Sequence, residues 1–353
     1  MKKVLVAMSG GVDSSVAAAL LKERGFEVIG GTMDILPPAE AANRSPGDEA
    51  AKIASELSIP HYIFDLKAEF REKIINNFAR EYGNARTPNP CVICNREIKF
   101  GLLRQKAIQL GCDYFATGHY ARSNRDQTGR YLLKKPFDPE KDQTYMLYRL
   151  TQSQLEMVLF PLGELTKTEV RDKAREIGLD IYDKKESQEI CFIKDDDYKR
   201  FLNQYYPELS EPGPIFDING KRLGQHKGLH HYTIGQRRGL GISLPYPVYV
   251  VEMDRDKNAL IVGEDKKVFS RGLIVESVNW IVDNERKEYD FPLACRVKIR
   301  YNSPEVEALI CGENELINVK FKQKQRAVTP GQSAVFYRND TVLGGGIIKE
   351  RKQ

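Results

Sequence analysis
The sequence predicts an α/β fold with a doubly wound parallel sheet, followed by a small central β-rich domain and a C-terminal β-barrel. Three features predict it. Through about residue 110, short β-branched runs alternate with helical patterns, the texture of a parallel sheet with crossover helices. From Ile215 the chain turns to short strands and glycine turns, and beyond about Phe269 apolar and polar residues alternate. Domains are therefore expected at 1–206, 207–268 and 269–353, the first boundary marked by the linker composition of 207–214, PELSEPGP.

The opening stretch, residues 4–15, reads VLVAMSGGVDSS. Val4, Leu5 and Val6 give a strand and Ser9-Gly10-Gly11 a tight turn. A helix starts at Asp13, carries Val16, Ala17, Leu20 and Leu21 at helical spacing, and ends at Gly25. Such a turn aims backbone N–H groups and the positive end of the helix dipole at one place, and paired glycines let the main chain approach a ligand closely. The loop suits an anion, above all a phosphate, although an ordinary strand-to-helix turn with an Asp/Ser cap has the same composition. It is not the usual P-loop, which needs a lysine after its last glycine; none lies between Lys3 and Lys22. A carboxylate in a phosphate loop calls for a cation, so Asp13 is expected near Mg²⁺.

A strand over 26–33 follows, then a turn-rich stretch over 35–46, a helix over 47–57, a strand over 61–66 and a longer helix to 81. Ligands of such sheets sit at the carboxyl ends of the strands. Met33 then lies where an adenine could rest on it, or equally serves as core filler. Residues 86–95 read RTPNPCVICN. The two prolines are expected to prevent regular structure, with a helix resuming over 98–110. Cys94, close to that helix N-terminus, is expected to have a lowered thiol pKa. The C-x-x-C pair admits half a zinc site, a redox pair, two of three ligands to an iron–sulfur cluster, or a Cys94 working with a distant thiol. A strand over 114–116 brings Gly118 and His119 to the same sheet edge.

Residues 150–179 read as two helices, and 184–193, KKESQEICFI, surround Cys191 with charge. Lys221, Arg222, Lys227, Arg237 and Arg238 make the central region basic, which suits RNA phosphates or simple solvation. Leu293, Cys295, Val297 and Ile299 share one strand face, which assigns Cys295 to a core. Strands over 306–311 and 316–321 and a hairpin over 334–348 complete a barrel that hides its edges. Cys112 and Cys311 read as structural.

Bulk composition agrees. The 353 residues are 41% hydrophobic and 29% charged, ordinary for globular domains, with a net charge of +5 that permits nucleic acid without demanding it. No run approaches a membrane span, and no signal peptide is expected ahead of the first strand. Six cysteines without a secretory context imply a reducing cytoplasm.

Seven motifs in chain order then become specific: SGGVDSS, NPCVICNREIKF, ATGHY, KDQTYMLY (141–148), EICFI (189–193), YTIGQRRGLGI (232–242) and TPGQSAVFY (329–337). Together they resemble the tRNA-specific 2-thiouridylases over essentially the whole chain. The first loop resembles the pyrophosphate loop of ATP-pyrophosphatases, whose domain is adenine nucleotide alpha hydrolase-like. The resemblance implies ATP-dependent 2-thiolation of the wobble uridine in tRNA of the Lys, Glu and Gln type, releasing AMP and pyrophosphate. It implies ATP with Mg²⁺, a tRNA partner, and a sulfur-relay protein or cysteine desulfurase as persulfide donor.

Residue by residue, the resemblance implies that Ala7, Met8, Ser9, Gly10, Gly11, Val12, Asp13, Ser14, Met33 and Gly118 bind ATP. Asn89, Pro90 and Cys91 would face the target base, with His119, Lys141, Asp142 and Gln143 close to it or its neighbours. Arg300, Tyr301 and Gln332 would touch tRNA. Cys94 matches the nucleophile and Cys191 the persulfide carrier, with a transient Cys94–Cys191 disulfide. Many members carry an aspartate where this chain has Cys91, so a general base at that position is lost. Cys91, Cys94 and Cys191 could alternatively hold a [4Fe–4S] cluster. Two other readings remain: a different ATP-pyrophosphatase acting on RNA, which needs neither Cys94 nor Cys191, and a non-catalytic RNA-binding protein, which would not need Asp13.

Overall fold
A computed structural model describes residues 1–36, 47–184, 190–193, 195–281, 291–313 and 315–353. The N-terminal part is built on β1 (Lys3–Ala7), α1 (Val12–Glu23), β2 (Glu27–Asp34), α2 (Asp48–Glu56), β3 (His61–Asp65) and β4 (Tyr114–Thr117). The sheet runs in the order β3-β2-β1-β4, with the short strand Val158–Leu159 beyond β4, and every pairing is parallel. Alternation along β1 explains both covering layers. Val4 and Val6 face a cluster with Val16 and Ala17 of α1 and Val170 and Ala174 of a later helix, whereas Leu5 faces Phe100, Leu103 and Phe115. Because β1 pairs with β2 on one side and β4 on the other, the turn after β1 sits at the point where strand order reverses. That is where sheets of this kind take ligands.

A separate four-stranded sheet follows, ordered Tyr249–Asp254, Ala259–Gly263, Gly213–Asp217, Arg222–His226. The last part is a six-stranded barrel in the order Phe269–Trp280, Leu316–Arg326, Val306–Glu313, Leu293–Lys298, Ser333–Arg338 and Thr341–Lys352, closed by pairing of its first and last members. Leu273, Val297, Ile310, Val319 and Phe336 fill it. Cys295 is partly buried against that core, as its strand face predicts, and Cys112 is buried. Cys311 is exposed, so its structural reading fails.

Two local expectations need correction. The stretch 150–179 holds a single helical turn, Gln152–Leu155, then the strand Val158–Leu159, and only then a full helix, Lys167–Glu176. Residues 90–109 are helical throughout, as Pro90–Cys94, a wider π-helical Asn95–Leu103, and Arg104–Gln109. Pro90 therefore starts a helix instead of preventing one, since the first helical position needs no N–H partner. A hairpin of Arg122–Arg125 and Tyr131–Lys134, outside the elements expected from the sequence, joins the barrel sheet through Thr341 opposite Lys134. The turn-rich reading of 35–46 and much of the charged stretch 184–193 lie outside the described residues.

Candidate active site
The loop after β1 is pre-shaped by its own serines. Ser14 Oγ accepts the Ser9 N–H at 3.2 Å and donates to Gly11 O at 3.1 Å; Ser15 Oγ also donates to Gly11 O, at 2.9 Å. Gly11 begins α1 without any side-chain cap, so the first-turn N–H groups are left for a ligand. Met8 and Val12 are buried in the core, so only their backbone can serve one. Gly118, just past β4, has a geometric reason to be glycine. A Cβ there would lie 2.7 Å from Asp13 C and Ser14 N, inside the loop's own backbone. Met33 is half-buried at the end of β2, packed against the cluster of Leu5 and Phe115 and against that of Phe78 and Phe192.

Two lysines that the sequence did not bring to this loop are found beside it. Lys167 Nζ reaches Asp13 Oδ1 and Oδ2 at 2.7 and 2.9 Å, and the Tyr120 hydroxyl donates to Oδ1 at 2.8 Å. Lys167 is held there as the first residue of its helix by a capping box between Thr166 and Glu169, and its own N–H donates to Asp138. Lys184 Nζ donates to Glu49 Oε2 at 2.5 Å and to Gly10 O at 3.4 Å. A Thr-x-x-Glu signal over 166–169 was legible as a helix start; nothing local said that Lys167 would meet a residue 154 positions away.

At the neighbouring edge, Asn89 caps the cysteine helix by accepting the Cys91 N–H at 3.2 Å. Cys94 is buried in a cluster with Phe78, Ile98 and Phe192. Phe192 is the anchor that brings residue 191 alongside, through edge contacts with Phe70, Phe78 and Phe201 at centroid distances of 5.5 to 5.6 Å. Burial pushes the Cys94 thiol up to about 11, with the Lys99 charge pulling the other way. This reverses the expected lowering: desolvation outweighs the helix terminus. Residues 91 and 191 keep exposed surface, yet their thiols are also desolvated and raised, Cys191 to about 12, with Cys94 and Cys91 adding to the effect. All three thiols rest protonated near neutral pH.

His119 is held well below its ordinary pKa by burial and then by Lys99, and its Nδ1 lies 2.8 Å from Thr117 Oγ1. Gln143 Oε1 accepts the Tyr120 N–H at 2.8 Å, and Asp142 Oδ1 caps the next turn at Thr144. Lys141 ends the short turn Pro139–Lys141 beside them. The residues expected to touch tRNA from the barrel are more tied down than the sequence suggests. Arg300 Nη1 donates to Ala327 O at 2.9 Å and Arg326 O at 3.2 Å, Tyr301 packs against Tyr145, and Gln332 donates to Thr87 O at 2.9 Å.

Comparison with known proteins decides the family. The tRNA methyl transferase HUP domain family matches residues 2–195, its PRC-barrel domain 199–264, and an aminomethyltransferase β-barrel domain 270–348. A protein of Halothermothrix orenii named tRNA-specific 2-thiouridylase MnmA is 57% identical over 360 residues, covering 99% of each chain. The chain belongs to the tRNA-specific 2-thiouridylase family. Another member, from Symbiobacterium thermophilum, is 49% identical over 99% of this chain and 92% of its own. Among solved structures, a U34-tRNA thiolase NcsA from Methanococcus maripaludis with its [4Fe-4S] cluster matches 58% of this chain and 67% of its own, at 22% identity and a TM-score of 0.35.

The Asp13 carboxylate is held by Lys167 and Tyr120, so an ammonium group balances its charge in this structure. Among the described residues no three His, Cys, Asp or Glu side chains are grouped to hold a metal ion, the three cysteines included. No helix among those residues is long and apolar enough to cross a membrane.

Two outcomes follow from this geometry. Alkylation of Cys94 by iodoacetamide is expected to rise about tenfold per pH unit through the neutral and mildly alkaline range, because its thiolate fraction keeps growing up to about pH 11. A plateau near pH 8, read by mass spectrometry of the labelled peptide, would contradict the buried, protonated thiol. Lys167→Met leaves the Asp13 carboxylate unbalanced in the anion loop, and ATP affinity by calorimetry should fall about ten- to a hundredfold. Adding Asp13→Asn to it should recover part of that loss.

Proposed function
We propose that this chain is a tRNA-uridine 2-sulfurtransferase that exchanges O2 of the wobble uridine for sulfur. The observation that carries the reading is an uncapped, serine-braced anion loop together with two neighbouring thiols, Cys94 in the aromatic cluster that holds Phe192, and Cys191, whose thiol feels the charge of Cys94. Full-length identity to named tRNA-specific 2-thiouridylases supports it.

The chemistry follows from what each half supplies. Oxide is a poor leaving group from the C2 carbonyl of uridine. Attack of O2 on the α-phosphate of ATP, held by the residues of the 7–14 loop with Met33 and Gly118, releases pyrophosphate and turns that oxygen into part of AMP. A persulfide on Cys191 then attacks C2 through its terminal sulfur, and AMP leaves. Cys94 gives up its proton and attacks the Cys191 sulfur, which breaks the persulfide S–S bond and frees 2-thiouridine. The electron pair stays with the departing sulfur, and the product is a Cys94–Cys191 disulfide that an external dithiol reduces. A resting Cys94 that is protonated and buried avoids oxidation until the persulfide arrives. Neutral His119 and the 141–143 turn flank the base, Asn89 and Pro90 contact it at the helix start, and Arg300 and Tyr301 meet the RNA backbone. The sulfur comes from a relay protein or a cysteine desulfurase.

Cys94→Ser and Cys191→Ser should each reduce thiolation to background, while tRNA binding by filter retention stays within about twofold. Cys91→Ser should keep most of the activity, since no step uses that thiol. Loss of activity in Cys91→Ser together with retained activity in Cys191→Ser would remove the persulfide route.

A further inference from the structure
The segment that leads into the cysteine helix is held from outside its own domain. Pro88 and Pro90 have no N–H, so this stretch is poor in donors of its own and its backbone needs partners from elsewhere. The barrel turn 329–332 supplies an acceptor and a donor. Thr87 N–H donates to Pro330 O at 2.9 Å, and the Gln332 side-chain amide answers by donating to Thr87 O at 2.9 Å and Pro88 O at 3.4 Å. This is one rung of β-type pairing in which a side-chain amide stands in for a backbone N–H. The turn is itself fastened to the last barrel strand, by Gly331 N–H to Ile348 O at 2.9 Å and Ile348 N–H to Gln332 O at 2.8 Å. Gly331 has φ +92, and a Cβ there would lie 2.9 Å from Thr87 N and O. Next to it, Arg86 bridges Glu81 of the N-terminal part at 3.0 Å and Glu276 of the barrel at 2.7 Å. Thr87 Oγ1 meets Thr233 Oγ1 of the central part at 3.3 Å. All three parts of the chain therefore converge on residues 86–88, and residue 89 immediately caps the helix that bears Cys91 and Cys94.

We propose that Gln332 is a positioning residue. Its amide fixes the start of the cysteine helix to the barrel, so that seating RNA on the barrel and aligning the sulfur chemistry become one mechanical event. The inference rests on the thiolation reading above and reassigns the residue expected to touch tRNA. With Nε2 engaged by two carbonyls, Gln332 acts on the substrate through residues 87–90.

Two full-length variants test it by different routes. Gln332→Glu keeps the shape but replaces the donor with an acceptor facing two carbonyls. Gly331→Ala drives a methyl group into Thr87 without altering any side chain that could reach RNA. Each should slow single-turnover thiolation at saturating tRNA by about ten- to a hundredfold, the scale of an unmet buried hydrogen bond. The tRNA dissociation constant should move less than about twofold, a split that lost RNA contact does not produce. Hydrogen–deuterium exchange over 86–98 should rise in both. Should Gln332→Glu not fold by circular dichroism, Gln332→Asn, which shortens the reach of the amide, gives the same reading. Weakened tRNA binding with an unchanged saturating rate and unchanged exchange would overturn the proposal, leaving Gln332 as an RNA contact. A wild-type protein that fails to thiolate tRNA would fault the function instead, and the exchange comparison would still decide the positioning role.

Discussion
Asp13 carries a negative charge into a loop shaped for anions, and Lys167 makes the two compatible. Two like unit charges about 4 Å apart repel by roughly 4 kcal/mol at the effective dielectric of a protein surface. That exceeds the gain from any single backbone N–H, so an unpaired Asp13 would defeat the loop. The ion pair at 2.7 Å cancels the repulsion, and the Tyr120 hydroxyl fixes the carboxylate in place. Lys167 belongs to a helix packed on α1, and Tyr120 follows β4, so the electrostatics of the loop depend on the order of the whole sheet. Gly118 enforces the same arrangement sterically, because the β4 edge touches the loop backbone directly.

Burial governs the other half of the site. Cys94 sits against Ile98 and Phe192, and the dry surroundings hold its proton on. A thiol that rests protonated reacts slowly with stray oxidants and with other thiols. Lys99 opposes that effect on all three cysteines, whereas on His119 it adds to burial in favouring the neutral ring. It is a half-buried charge that all four groups feel, one π-helical turn along from Cys94. The three thiols are therefore quiet in the resting protein.

Much of this was legible in the sequence. The strand, Gly-Gly turn and helix at 4–15 are local signals, as are the alternation of the barrel strands and the inward face of Cys295. Features created by tertiary contact were not legible. The Cys94 thiol is raised where its place near a helix start suggests a lowering, because no local pattern reports how much apolar surface will close over residue 94. Lys167 carries no mark of its partner 154 residues away, and Gln332 shows no sign of being tied to Thr87. Residues 150–165 imitate helical spacing, but Val158 and Leu159 are claimed by the open edge beside β4. Pro90 starts a helix for a simpler reason: proline breaks a helix in its interior and is welcome at its first position.

The most direct test of the account is thiolation in air by iron-free protein. Unmodified tRNA, ATP, Mg²⁺, a cysteine desulfurase, cysteine and a dithiol would be incubated with the enzyme, and digested nucleosides analysed by mass spectrometry. The account predicts 2-thiouridine in amounts well above those of the enzyme, with one AMP formed per sulfur inserted. Absence of product in air, with activity appearing only after anaerobic cluster reconstitution, would contradict it and make Cys91, Cys94 and Cys191 cluster ligands.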